Sequence, residues 1–592
     1  MSEVLRVKGR EPVEGDSDEI NEVETWAPKY KSEEWDDAQR ELLEPFFSNL
    51  DGPVFVIKNM PEEVVAAISS RVSRAEASIR RVFWNEYIRP ILTAGGDEGA
   101  EMIRSIQHLK KGGMEKVANG ERARTFFRTW LAQYGDDSIA EMGNLHLGIE
   151  GISQIAVKEV EDVRIGLSPI EKSSRYVKFG DKVDDEYNYV TPKEIADLGA
   201  PSSLEQPASE MYTELVDLLY DTYVDQNPEL AERLKSLFPK SEDESQTAWR
   251  NTLRAKAFDV LRAYLVGATQ TTVAVSANAR ALEGLVNRLY ASKLTELRWL
   301  GKQIHQEVRK VTPSLLERPG TARGQQQQIY LENLDNTAEY WASEVADKLE
   351  VGIEQESVEL LDAEDEAEAQ IKLVAQLMYR KSTGVSLSRL RNAAREMGEK
   401  KRVALIDSFL TLRKIRQNKV PRAFEEISYK FELTGNFGMY RDLQRHRMNS
   451  PERQIFTTEF GVDVPQDIID AGLEETFVLL MQEANEVRIR LMEAGATAEE
   501  AQYVVPYASK VRWSVRMSLR ELYWICELRS GMQGHPDYRK MAQIMFEKVK
   551  AVHPSLVSNM MVDMEDYDLA RRESEKRTER KLSVLTGQVD LD

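Results

Sequence analysis

Residues 276–282 read SANARAL, and residues 516–522 read RMSLREL. Arg280 and Arg520 are 240 positions apart. Downstream, VRKVTPSLLE (308–317) is matched by VKAVHPSLVS (549–558), with Pro313 and Pro554 241 apart. Upstream, Asp137-Ser-Ile-Ala-Glu141 leads into HLGIEGIS, and Ala423-Phe-Glu-Glu426 leads into YKFELTG, at an offset of about 284. A near-constant offset over separate segments marks an internal repeat. The change from 284 to 240 places some forty extra residues in the first copy. They are expected around 195–255, where PSSLEQPASE and PKSEDESQTA read as loops.

The repeat organises the chain. Residues 1–50 are acidic and aperiodic and read as an N-terminal extension that wraps or stays mobile. The first domain is expected over 52–320 and the second over 345–565, joined by a linker at 321–344 that begins TARGQQQQIYLENLDN. Residues 566–592 form a charge-dense tail. Apolar residues at i, i+3 and i+4 predict helices in NARALEGLVNRLYASKLTELRWLGKQIHQEVRKV and LRELYWICELRS. Alternating runs predict strands at Gly52-PVFVIKN, Asn144-LHLGIEG and Ile427-SYKFEL. The fold class is therefore α+β: two tandem homologous domains, each a small sheet flanked by helices.

Composition narrows the function classes. The 592 residues are 42% hydrophobic and 8% aromatic, enough for packed cores. A formal charge of −21 repels nucleic acid. No run of about 18 apolar residues exists, so no membrane span is expected. The opening MSEVLRVKGREPVEGDSDE lacks a signal-peptide core, and the lone Cys526 suits a reducing compartment, so a cytoplasmic location is expected. With six histidines and no Cys-x-x-Cys or His-Glu-x-x-His spacing, no metal site is expected. Cys526 lies in LYWICELR and reads as a core thiol.

Two charged motifs stand out. Glu171-Lys-Ser-Ser-Arg175-Tyr176 offers a guanidinium and the Ser173 hydroxyl to a phosphate, and a carboxylate to a ribose hydroxyl or base N–H. In the second copy, Arg445-His446-Arg447 closes a predicted helix, with Ser450 following. Joined end to end, these pieces resemble the R-H-R-x-x-S-x-N-E-x-S-x-R-Y motif of flavin-dependent thymidylate synthases. The first copy has Val163-Arg164-Ile165 at the basic front and Ile170 at the motif's Asn; the second has Glu452-Arg453-Gln454-Ile455-Phe456-Thr457-Thr458 at the back. The losses are complementary.

The resemblance implies further residues. A phosphate-binding arginine of the family corresponds to Arg262, with Gln502 in the second copy. A uracil-polarising arginine corresponds to Arg529, with Leu289 in the first copy. The flavin-contacting N-x-R corresponds to Asn278-Ala-Arg280 and, in part, Ser518-Leu-Arg520, where Asn278 and Ser518 also suit helix N-caps. His535 lies near the place of a flavin-contacting histidine. The implied activity is reductive methylation of dUMP, with methylenetetrahydrofolate giving the carbon and FAD, reduced by NADPH, giving the hydride. Glu171, Ser173, Arg175, Arg262, Arg445 and Arg529 are the implied dUMP ligands, with Arg529 catalytic. Arg445, His446, Arg447, Asn278, Arg280, Arg520 and His535 are the implied FAD ligands. Because the family is homotetrameric with shared sites, a two-copy chain implies a homodimer, or pseudo-tetramer, with about one FAD and one dUMP per chain. A non-catalytic binding protein and a hydroxymethylating enzyme are the alternatives.

Overall fold

The computed structural model describes residues 26–110, 120–127, 137–201, 205–346, 349, 357–567, 569, 572 and 576–577. Half of the expected N-terminal extension and most of the expected charged tail lie outside the described residues.

Two four-stranded antiparallel sheets carry the fold. The first is built from β1 (Val54–Ile57), β2 (Asn144–Ile152), β3 (Leu167–Glu171) and β6 (Thr271–Asn278), in the order β1-β2-β6-β3. β4 (Lys182–Val183) and β5 (Glu186–Tyr187) form a separate small hairpin. The second sheet is built from β7 (Val358–Asp362), β8 (Ser428–Asn436), β9 (Ser450–Arg453) and β10 (Lys510–Ser518), in the order β7-β8-β10-β9. The topology is the same in both. Asn144 faces Asn278 in the first sheet and Ser428 faces Ser518 in the second, so the ladders reproduce the offsets of 284 and 240. Ser168 lies opposite Ser276 and Ser450 opposite Arg516, which makes Ser168 and Ser450 equivalent.

Each sheet feeds equivalent helices. β6 runs into Ala279–Tyr290 and then Thr295–Val311; β10 runs into Leu519–Arg529 and then Pro536–Val552. Asn278 and Ser518 cap the first helix of each pair, accepting from the N–H of Ala281 and Glu521. The three sequence-predicted strands and the long amphipathic helices are all present. Around 195–255, where the extra residues of the first copy are expected, the described residues hold the helix Ala208–Leu237 and the start of the helix Gln246–Leu261, with a loop at 238–245; residues 202–204 lie outside the described residues. The expected linker is a 25-residue helix, Ala322–Ala346. Cys526 is fully buried and burial pushes its thiol pKa up, as a core position dictates.

Two compact units result, and each borrows from the other repeat. The first unit contains residues 1–224, 265–352 and 483–505. The second contains residues 225–264, 353–482 and 506–592. In the first, a core of Leu43, Phe47, Phe55, Ile68 and Phe83 shows that the described part of the N-terminal extension packs against the sheet. Also in the first, the N–H groups of Gly267 and Ala268 donate to the carbonyls of Val505 and Tyr503 at 3.0 and 2.8 Å. In the second, Ala508 N–H donates to the Ala263 carbonyl at 3.2 Å. No described helix is long and apolar enough to cross a membrane.

Gly267 permits the first of these approaches. A Cβ there would lie 2.4 Å from the Gln502 carbonyl oxygen, a backbone atom that cannot swing aside. Gly267→Ala is expected to destabilise the first unit by about 1–3 kcal/mol, the usual range for overpacking. A fall in the urea midpoint of that unit's tryptophan signal checks this.

Candidate functional site

The second unit gathers charged side chains from both repeats. Arg262 follows the helix Gln246–Leu261 and opens a short 3-10 turn. Its Nη1 donates to Asp442 Oδ2 at 3.3 Å, with the guanidinium side chain 5% exposed. Asp442 lies in the helix Phe437–Leu443, which Asn436 starts by accepting from the Met439 N–H. Gly438 in that helix is within 3.5 Å of Arg262 Nε and Nη2 when given a Cβ. Arg445, His446 and Arg447 follow the helix; both arginines are exposed and the histidine is buried.

His446 links two of the expected residues. Its Nε2 accepts from Arg529 Nε at 2.8 Å, and its Nδ1 lies 3.2 Å from Glu521 Oε1. A guanidinium only donates, so Nε2 carries the lone pair and Nδ1 donates its proton to Glu521. Burial holds the His446 pKa below its ordinary value; Glu521 opposes the shift and Arg529 adds to it. Glu521 is held by its own helix, where its N–H donates to Ser518 Oγ. Arg529 sits 5.4 Å from the Tyr538 ring centre. Burial lowers its pKa, Asp442 raises it, and Arg445 lowers it further, which puts all three charges in one field.

The first unit holds the other motif. Glu171 ends β3, is buried, and faces the ammonium of Lys158 at 3.5 Å. Lys158, itself wholly buried, also pairs with Glu161. Ser173 Oγ accepts from the Arg175 N–H at 3.3 Å, in a turn that leaves Arg175 buried. The N-x-R arginines are partnered at equivalent places: Arg280 with Glu141 at 2.6 Å and Arg520 with Glu425 at 2.8 Å. Asn278 is occupied as a cap. His535 caps the helix Pro536–Val552, and its Nε2 lies 3.3 Å from the Asp259 carbonyl. Thus Arg262, Arg445, His446, Arg447, Arg520, Arg529 and His535 share the second unit, while Glu171, Ser173, Arg175, Asn278 and Arg280 belong to the first.

Sequence reasoning missed the carboxylates and the lysine that organise these groups. Glu521 carried a faint signal, three residues after a capping Ser. Lys158 is a charge among the apolar positions of QIAVKEVE. Asp442 carried none that names Arg262 as its partner.

The chain matches the sequence profile of the family described as thymidylate synthase complementing protein over residues 60–314 and again over 359–555, and it belongs to that family. A UPF0159 protein of Chlamydia muridarum is 34% identical over 542 residues, covering 91% of this chain and 97% of the relative. A UPF0159 protein of Thermoplasma acidophilum is 32% identical, covering 80% of this chain and 95% of the relative. A flavin-dependent thymidylate synthase of Geobacter sulfurreducens is 27% identical over 208 residues, covering 34% of this chain and 84% of the relative.

The buried His446 makes stability depend on pH. Its folded pKa is depressed, so the unfolded chain takes up the proton first, and stability falls as pH drops below about 6.5. His446→Gln is expected to flatten that fall, measured as thermal midpoint against pH between about 7 and 5.

Proposed function

We propose that this chain is a flavin-dependent thymidylate synthase that converts dUMP to dTMP with methylenetetrahydrofolate and NADPH, at a site composed from both repeats. The repeats are those read at 52–320 and 345–565. The observation that carries the reading is Arg262, a first-repeat residue, lying in one unit with the second repeat's Asp442, Arg445, His446 and Arg529. Membership of the family and the similarity to named flavin-dependent thymidylate synthases support it.

The residues present suit a flavin dinucleotide. Exposed Arg445 and Arg447 offer cations to a diphosphate, with Arg520 as a further cation on the surface of the same unit. FAD, when bound and reduced, supplies the hydride that completes the methyl group. The chain's own groups do the rest. Arg262 in the second unit, and Arg175 and Ser173 in the first, offer donors suited to a phosphate, so that binding energy away from the reacting carbon orients the uracil ring. Glu171, set by Lys158, accepts from a ribose hydroxyl or base N–H. Arg529 donates to the uracil carbonyl where negative charge develops. Glu521 and neutral His446 act through Arg529 by fixing its orientation. Cys526 supplies no nucleophile, because its thiol is buried and held protonated. A homodimer with one FAD and one dUMP per chain completes the proposal.

The test is an anaerobic incubation with FAD, NADPH, methylenetetrahydrofolate and dUMP, read by mass spectrometry of the nucleotide. A gain of one methyl group is expected. A hydroxymethyl product, or unchanged dUMP on folded flavin-loaded protein, would overturn the methylation reading. Arg529→Ala is expected to lower kcat by about 10²–10³-fold, as loss of one donor to a developing oxyanion does. Arg262→Ala is expected to act mainly on the KM for dUMP. Two tightly bound flavins per chain would sink the composite site.

A further inference from the structure

A basic stretch of the second repeat takes no part in the proposed reaction. Residues 411–422 read TLRKIRQNKVPR, with five cations and no acidic residue, in a chain of formal charge −21. At the offset of 284 the first repeat has FRTWLAQYGDDS over 127–138, with one cation and two acids. The basic stretch therefore belongs to one repeat and is not a demand of the shared fold.

The stretch forms a loop tied down from inside the second unit. It leaves the helix Glu399–Leu410 at Thr411, the C-cap. Arg413 turns inward, is buried, and meets Glu527 through bonds of 2.8 and 2.7 Å. Its Nε donates to the Asn418 carbonyl at 2.6 Å, which closes the loop on itself. The Asn418 Oδ1 accepts from the N–H groups of Lys414 and Ile415 at 3.1 and 3.3 Å. The tip held this way turns two aliphatic side chains outward. Leu412 is 73% exposed and Ile415 54% exposed. Lys414 and Lys419 are exposed and Arg416 is half-buried; none of the three has a carboxylate partner among the described residues. The Lys414 ammonium reaches only the Thr411 carbonyl, at 3.0 Å, and Lys419 lies 5.2 Å from the Trp524 ring centre.

One exposed leucine is ordinary on a protein surface. Two projecting aliphatic side chains among cations without counterions offer apolar burial and positive charge at one place. A nucleic acid would take up the cations and stack on rings, and would leave Leu412 and Ile415 in water. A peptide needs a sheet edge or a groove, whereas these side chains project. An anionic bilayer surface takes both: lipid phosphates meet Lys and Arg, and aliphatic side chains enter the boundary between headgroups and acyl chains. The chain's overall negative charge does not oppose this at contact, because fields between exposed charges fade within about 8 Å at physiological ionic strength.

We propose that the tip at 411–422 docks on an anionic lipid surface, with Leu412 and Ile415 in the headgroup–acyl boundary and Lys414, Arg416 and Lys419 on lipid phosphates. The proposal is independent of the methylation reading, since no residue assigned to nucleotide or flavin lies in this loop.

The experiment is co-sedimentation of the full-length protein with vesicles of phosphatidylcholine alone, and of phosphatidylcholine mixed with phosphatidylglycerol, in low and in high salt. Binding to the mixed vesicles in low salt, its loss in high salt, and no binding to phosphatidylcholine alone are expected. Leu412→Ser combined with Ile415→Ser should lower the partition coefficient by about tenfold or more. Lys414→Glu combined with Arg416→Glu should abolish binding. An unchanged thermal midpoint shows each variant to be folded, and if one does not fold the other carries the test. No binding to the mixed vesicles, equal binding to phosphatidylcholine alone, or a partition coefficient unchanged by the two serines would each overturn the proposal. So would absence of vesicle binding together with a single-stranded RNA gel shift that Lys414→Glu removes, or with a dimer that the two serines dissociate; these results would assign the tip to nucleic acid or to a second copy of the chain.

Discussion

Everything in this molecule hangs on a reciprocal use of backbone hydrogen bonds. Gly267 and Ala268 donate to the lead-in of the second repeat, and Ala508 donates to the equivalent turn of the first. Buried peptide groups must find partners. Here the partners come from the opposite repeat, so neither repeat closes its own unit from its own residues. The glycine at 267, which a side chain would drive into the Gln502 carbonyl, is the local condition for this in the first unit.

The exchange brings residues of the two repeats into one unit. Here Arg262 lies beside the second repeat's Asp442, while its counterpart Gln502 lies in the first unit. The cluster around His446 follows the same logic. Its geometry depends on a buried imidazole that must stay neutral, because it accepts from one cation while its other nitrogen faces a carboxylate. Buried charges elsewhere are likewise paired: Lys158 lies between two carboxylates, and Arg413 meets Glu527 through two bonds of 2.8 and 2.7 Å. Such pairs contribute little net stability, but losing one partner strands the other.

Much of the fold was legible along the chain because repeat offsets and apolar periods are local properties. The strand at 428–436 alternates as a half-buried strand should, that at 54–57 is a short apolar run buried at every position, and Asn278 and Ser518 mark helix starts. The charged motifs were also legible, since Arg445-His446-Arg447 and the Glu171–Arg175 stretch are contiguous. Their partners were not. Asp442, Glu521 and Glu161 are ordinary surface-type residues in the sequence and acquire meaning only through what packs against them.

By itself, then, the sequence determined that two copies of one α+β domain lie in tandem, and that Arg445-His446-Arg447 stands in the second copy alone and Glu171-Lys-Ser-Ser-Arg175-Tyr176 in the first alone. Those facts follow from spacing, which needs no third dimension. The tertiary structure alone decided that residues 225–264 join the second unit and residues 483–505 the first. It also decided which carboxylate each arginine meets and which nitrogen of His446 holds its proton. Each depends on distances of about 3 Å between residues far apart in the chain, and such distances are set by packing, not by order along the polymer.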